Sequence, residues 1–179
     1  DIPLNNHGRE QAKILRDKLS DLAFDCCYTS PLSRAKETAE IICNQRCGII
    51  CDDNLMERFG GTMEGVVVNN WGDFNKDGSA ESDASILNRA KQFRETIKQP
   101  NYSCVLVVSH NGLLKNLRHL ILEKDGEIDF RDGGLSNCDF ESFETSGTRM
   151  ARPFPVPQRQ TTALSPRQGA CSSSTAWPP

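Results

Sequence analysis

Apolar residues along this chain follow two patterns, one typical of amphipathic helices and the other typical of strands. Spacings of three and four residues predict helices over 8–20, 30–48, 81–98 and 111–122. Short apolar runs predict buried strands over 24–29 and 104–108 and a brief strand over 49–51. Residues 138–143 alternate between apolar and polar types, which predicts a strand at a sheet edge. Because helices and strands alternate, the sequence predicts an α/β fold with a largely parallel sheet.

The pattern stops after Thr145. Six of the nine prolines stand at or beyond position 152, together with a run of three serines. Such a segment buries too little apolar surface to offset the entropy lost on ordering. We therefore predict one folded domain over residues 1–145 and a disordered tail, rich in Pro, Ser and Arg, over 146–179.

Charge is divided unevenly along the chain. All 24 acidic residues precede Ser146, whereas four of the 21 basic residues, all arginines, follow it. An acidic body argues against nucleic acid as a partner, since a binder of phosphate backbones needs a basic face. No apolar run approaches the roughly 18 residues of a membrane span, so we expect no membrane partner.

Eight cysteines are present, without any Cys-x-x-Cys pair. Cys43, Cys47 and Cys51 recur every four residues, which raises the alternative of a zinc site on one helix face. Gly48 should end any helix between them, and a second ligand cluster is missing. We therefore predict reduced, mostly buried thiols in a cytoplasmic protein, and no metal.

Three polar clusters could carry chemistry. His110 directly follows the clearest strand and precedes a helix, the place where α/β sheets bind ligands. A capping or packing role would place a histidine there equally well. Arg34 also follows a strand at a helix start, and Glu57 and Arg58 lie on a glycine-rich loop, where alone they would be a surface pair. Together the histidine and arginines suit a phosphate pocket, in which Glu57 could protonate a leaving oxygen.

The order of these clusters along the chain and their residue patterns resemble those of the histidine phosphatase superfamily, the phosphoglycerate-mutase-like fold. The resemblance covers residues 1 to about 144 and rests on five segments: 1–12 (DIPLNNHGREQA), similar to D-x-P-L-T-x-x-G-x-x-Q-A; 29–39 (TSPLSRAKETA), similar to S-S-x-L-x-R-A-x-x-T-A; 55–65 (LMERFGGTMEG), similar to L-x-E-R-x-F-G and E-G; 78–93, similar to G-G-E-S…R…F; and 105–112 (VLVVSHNG), similar to V-L-V-V-S-H-G-G.

The resemblance implies a three-layer α/β/α sandwich and a metal-independent phosphatase, without a cofactor, that acts on a small phosphorylated substrate. Arg34 would bind the phosphate, Glu57 would donate the proton and His110 would steady the transferring phosphoryl group. Arg58 matches a residue that helps bind substrate in some members. Asn111 would contact substrate where the family usually has Gly. In the family a histidine attacks phosphorus, and water or an acceptor hydroxyl then takes the phosphoryl group.

The family's nucleophilic histidine lies in an R-H-G-E motif after the first strand, upstream of the segment that matches Asp1. We therefore expect this chain to lack that strand and its nucleophile, and to be inactive by itself. His7-Gly8-Arg9-Glu10 is similar in letters, but it stands at a helix start, where we expect His7 to face solvent. The alternatives are mutase-type phosphoryl transfer, a non-catalytic phosphate-binding pseudoenzyme, and a product that does not fold stably.

Overall fold

The computed structural model describes residues 1–66, 77–98, 102–122 and 135–143. Helices and strands alternate along these residues as the sequence predicts. In chain order the elements are α1 (Asn6–Lys18), β1 (Cys26–Thr29), α2 (Ser33–Cys43), β2 (Gly48–Cys51), α3 (Asp83–Ile97), β3 (Val105–Val108) and α4 (Asn111–Ile121). Two 3₁₀ turns, Asp53–Leu55 and Gly61–Met63, lie in the loop between β2 and α3.

The described strands form one parallel sheet in the order β2-β1-β3. Cys26 pairs with Gly48 on one side and with Val105 on the other, and Thr29 pairs with Cys51 and Val108. All four residues of β1 are buried, as expected for a central strand. Parallel pairing brings the carboxyl ends of the three strands to one edge.

Helices cover both faces of the sheet. Cys26 and Tyr28 face a core formed with α3 and α4, where the Tyr28 and Phe93 rings meet edge to face at 5.5 Å between centroids. Cys27 points to the opposite face and packs on Ala35 and Ala39 of α2. On that side α1 packs against α2 through Leu15, Leu19 and Ile42. The predicted three-layer α/β/α fold is therefore confirmed.

Local chemistry sets helix ends that differ from the predicted ones. The α3 helix begins at Asp83 rather than at position 81, because the Ser82 side chain accepts a hydrogen bond from the Ser85 N–H and caps the helix. The α2 helix ends at Cys43, before Gly48, because Asn44 and Gln45 adopt left-handed φ angles of 45° and 62°. Asn is among the few residues other than Gly that take this conformation readily.

The predicted edge strand over 138–143 was wrong. Cys138 has a φ of 54°, and the Asp139 N–H closes a turn onto the Ser136 carbonyl. Cys138 and Phe140 pack against the cluster of α1 and α2 residues around Leu15. Burial of these two side chains on helices, rather than hydrogen bonding to a neighbouring strand, accounts for their apolar character.

The predicted tail over 146–179 and the boundary at residue 145 lie outside the described residues. Within the part of the chain that the structure describes, no helix combines the length and the apolar character that a membrane span requires.

Candidate active site

The strand ends of the sheet bring His110 next to Ser30. The Ser30 N–H donates to the Val108 carbonyl at 3.1 Å, which ties the end of β1 to the end of β3. His110 is 8% exposed and has the extended backbone of the residue before α4 (φ −117°, ψ 156°). Its Nε2 lies 2.9 Å from the fully buried Ser30 Oγ. A strand-to-helix turn therefore fixes the ring, as the sequence predicts for position 110.

The other ring nitrogen identifies the tautomer. Nδ1 of His110 lies 3.2 Å from Nη2 of Arg34. A guanidinium can only donate, so Nδ1 accepts, and the ring proton of a neutral imidazole stands on Nε2 and points to Ser30 Oγ. Burial, with the charges of Arg34 and Arg89 adding to it, lowers the pKa of His110 to about 4. At neutral pH the ring is therefore uncharged.

Arg34 lies in the first turn of α2, where its guanidinium is half-exposed. Nη1 lies 3.6 Å from Oδ1 of Asp1, and Oδ2 of the same carboxylate accepts the Ser33 N–H at 2.8 Å. The residue before the helix, Leu32, offers no side-chain cap, so Asp1 takes that role. A carboxylate thus occupies the end of α2 next to Arg34, where helix N–H groups and a cation favour an anion.

Glu57 brings a carboxyl group of raised pKa to the same region. Burial raises the pKa, while the Arg58 N–H, the charge of Arg34, the Gly112 N–H and the charge of Arg89 oppose this effect. Oε1 accepts the Arg58 N–H at 2.9 Å. A Cβ at Gly112 would stand 2.7 Å from Oε1, so a larger residue at this position would displace the Glu57 carboxyl group. A carboxyl group with a raised pKa keeps its proton to a higher pH than an ordinary glutamate does, which suits it to act as a proton donor.

The loop that carries Glu57 is held by an ion pair between Arg89 and Glu81, whose role the sequence alone does not indicate. Arg89 donates to both carboxylate oxygens of Glu81 at 2.8 and 2.7 Å. Its Nη1 also donates to the Asn54 and Met56 carbonyls at 2.8 and 2.9 Å. Arg89 thereby fixes the backbone that precedes Glu57. The family segment over 78–93 contains both residues, but only the folded loop shows what they hold.

The other two predicted substrate-binding residues, Arg58 and Asn111, directly follow Glu57 and His110 in the chain. Arg58 binds the start of α3, with Nε 2.8 Å from the Glu81 carbonyl oxygen and Nη1 2.7 Å from Oδ1 of Asp83. Asn111 is the first residue of α4 and is exposed. Their substrate contacts stay predictions.

His7 is exposed in the first turn of α1, as expected, and Asn5 caps that helix by accepting the Gly8 N–H. Among residues 1–66, 77–98, 102–122 and 135–143, no group of three His, Cys, Asp or Glu side chains is arranged to hold a metal ion.

Known proteins share both the sequence pattern and the fold. A model of the histidine phosphatase superfamily (branch 1) matches residues 1–151. The probable phosphatase C1620.13 of Schizosaccharomyces pombe is 32% identical over 138 residues, which cover 69% of this chain and 49% of that protein. Phosphoserine phosphatase 1 of Hydrogenobacter thermophilus is 32% identical over 141 residues, 70% of this chain and 67% of that protein.

Among solved structures, YhfR of Bacillus stearothermophilus superposes with a TM-score of 0.66 at 23% identity, covering 77% of this chain and 76% of that one. The α-ribazole phosphatase of Shigella flexneri gives a TM-score of 0.64 at 23% identity, with coverage of 76% and 75%. These two structures share the fold. The chain spans between 22% and 67% of the length of these and other curated relatives that it matches.

Proposed function

Because this chain belongs to the histidine phosphatase superfamily (branch 1), we propose that it supplies the phosphate-binding and proton-donating groups of a metal-independent phosphatase. The substrate class is a small phosphate ester. The observation that carries the proposal is the contact of Arg34 with His110 at the sheet edge, with the Glu57 carboxyl group close enough for the charge of Arg34 to act on its pKa.

In the proposed reaction, phosphoryl oxygens replace the Asp1 carboxylate on Arg34. A dianion at this position places negative charge beside the His110 ring and raises the pKa that burial and two arginines hold low. The ring can then take up a proton and hydrogen-bond the phosphoryl group as charge builds up on its oxygens. Protonated Glu57 donates its proton to the ester oxygen as the bond between that oxygen and phosphorus breaks.

The nucleophile is a histidine that forms a phosphohistidine, and water then attacks phosphorus, breaks the N–P bond and releases phosphate. We propose that this histidine comes from a segment before Asp1, in an R-H-G-E motif. The proposal favours a phosphatase over a mutase because the short chain between Glu64 and Glu81 offers little material for a cap that would exclude water. It also places the protein in the cytoplasm, which the free thiols of the seven described cysteines support.

The test is hydrolysis of p-nitrophenyl phosphate by this chain joined to an upstream strand that carries R-H-G-E. We expect turnover, with Glu57→Gln lowering kcat by about 10²–10⁴-fold because proton donation is lost. His110→Ala should lower kcat comparably, and His119→Ala is the control on α4 that should change little. Intact kcat in His110→Ala would overturn the site assignment.

The chain alone should show negligible turnover, since no phosphohistidine can form on the proposed nucleophile. Hydrolysis at an ordinary phosphatase rate that His7→Ala abolishes would assign the nucleophile to His7 instead. A joined protein that binds vanadate but does not turn over would favour the pseudoenzyme.

A further inference from the structure

Three thiols meet on the face of the sheet that α2 covers, away from the phosphate site. Cys27 lies on β1, Cys43 is the last residue of α2, and Cys47 stands directly before β2. The Cys47 thiol donates to Cys43 Sγ across 3.6 Å. Cys27 and Cys43 are fully buried, whereas Cys47 is half-exposed. Only one of the three sulfurs is therefore open to solvent, and it touches a buried one.

The turn after α2 builds this contact. Asn44 and Gln45, with φ angles of 45° and 62°, reverse the chain so that Cys47 returns over the helix end. Arg46 fixes the turn, because it donates to the Ile42 carbonyl at 2.9 Å, to the Cys43 carbonyl at 3.3 Å, and to the carbonyls of Leu19 and Ser20 at 3.2 and 3.1 Å. The two sulfurs are thus held together by the fold.

The surroundings also activate the pair. Thiol hydrogen bonds from Cys27 and Cys47, together with the charge of Arg46, lower the pKa of Cys43 against the opposing effect of burial. Burial and the neighbouring Cys43 raise the pKa of Cys47. When the pair is singly ionised, the negative charge rests mainly on Cys43, and transfer of the Cys47 proton across the 3.6 Å contact gives the minor form with the thiolate on Cys47. A thiolate is the reactive form towards oxidants.

We propose that Cys43 and Cys47 form a dithiol site that a two-electron oxidant, such as hydrogen peroxide, converts into a disulfide. The Cys47 thiolate attacks one peroxide oxygen, the O–O bond breaks, and hydroxide leaves and takes the proton released by the pair, giving water and a sulfenic acid. The Cys43 sulfur then attacks the Cys47 sulfur, the S–O bond breaks and a second water leaves. Two thiols lose two electrons and two protons, and one peroxide becomes two waters.

The neighbouring cysteines are poorer partners. Cys27 is buried on the central strand and has no solvent-exposed sulfur for the first step. Cys51 is exposed, but it lies four residues along β2 from Cys47, a separation of about 13 Å in an extended strand. A disulfide requires the two sulfurs to approach to about 2.05 Å, and the Cys47 sulfur already lies 3.6 Å from that of Cys43.

The experiment treats the full chain with hydrogen peroxide, blocks the remaining thiols with N-ethylmaleimide and digests with trypsin. Cleavage after Arg46 puts Cys43 and Cys47 on separate peptides, 37–46 and 47–58, so a disulfide appears as these two peptides joined. We expect the joined peptides, two hydrogens lighter than their sum. Cys47→Ser should abolish this product, and the matched control Cys51→Ser, in the same peptide, should retain it.

A product that survives Cys47→Ser and is lost in Cys51→Ser would overturn the proposal, as would Cys47 oxidised to sulfinic acid without any joined peptide. Oxidation in concentrated urea supplies the second comparison, because the unfolded chain keeps the spacing of the two cysteines and loses the turn. We expect a much lower yield of the joined peptides there. An equal yield would show that the fold does not build the site.

Discussion

Acid should weaken the fold through His110, and the size of the effect follows from its pKa. The ordinary pKa of a histidine is 6.5, and that of His110 in the folded protein is about 4. Above pH 6.5 the ring is neutral in both states. Between these two pKa values the unfolded chain binds a proton at this ring and the folded protein does not, so the free energy of unfolding falls as the pH falls. Each pH unit inside this window costs about 1.4 kcal/mol.

Integrating from pH 7 to pH 5 gives a loss of about 2 kcal/mol from this single group. Glu57 acts in the opposite direction over part of the same range. Its raised pKa means that the folded protein takes up a proton more readily than the unfolded chain does, so its contribution to stability grows as the pH falls. The wild-type pH profile alone therefore understates the effect of His110.

The assay compares the wild-type chain with His110→Gln by urea unfolding, followed by far-UV circular dichroism, at pH 7, 6 and 5. Because Glu57 is present in both proteins, its contribution largely cancels in their difference. We expect the difference in unfolding free energy, wild type minus variant, to fall by about 2 kcal/mol from pH 7 to pH 5. A difference that stays constant within about 0.5 kcal/mol would refute the argument that burial and the two arginines keep this ring neutral.

Two further predictions concern the groups that position Glu57. Gly112→Ala places a Cβ 2.7 Å from Glu57 Oε1, the free end of a flexible side chain, so the carboxyl group should move aside and the cost in urea unfolding should stay below about 1 kcal/mol. Gly48→Ala, with no atom within 4 Å of the added Cβ, is the control, and a loss of about 3 kcal/mol in Gly112→Ala alone would show that the carboxyl group cannot move. Arg89→Met should cost about 3–5 kcal/mol because it leaves Glu81 largely buried without its partner. Adding Glu81→Gln should recover part of that loss, and purely additive losses in the double variant would show that the two side chains are not coupled.

The sequence predicts the layers well because its apolar runs are short and unambiguous. Five consecutive apolar residues end at Val108, and only a strand covered on both faces uses such a run, so the positions of β3 and of His110 after it follow directly. The same logic places Arg34 after β1, in the first turn of the helix that follows. By contrast, the alternation over 138–143 fits two structures equally well: a strand, or a turn that packs two side chains on helices. Only the tertiary contacts of Phe140 distinguish between them.

The charge state of the site required the fold. From sequence, His110 and the arginines suggest a group of cations around a phosphate. The structure instead pairs Arg34 with a neutral ring, whose proton points away towards Ser30. The nearby arginines favour an anion at this site. Together with burial, the same arginines lower the pKa of His110 and keep its ring neutral. In the proposed reaction a bound phosphate dianion would reverse this balance, so binding and protonation of the ring would be thermodynamically linked. The ring would then gain its charge only when a phosphoryl group is present, and it would act on the reacting group without repelling Arg34 in the empty site.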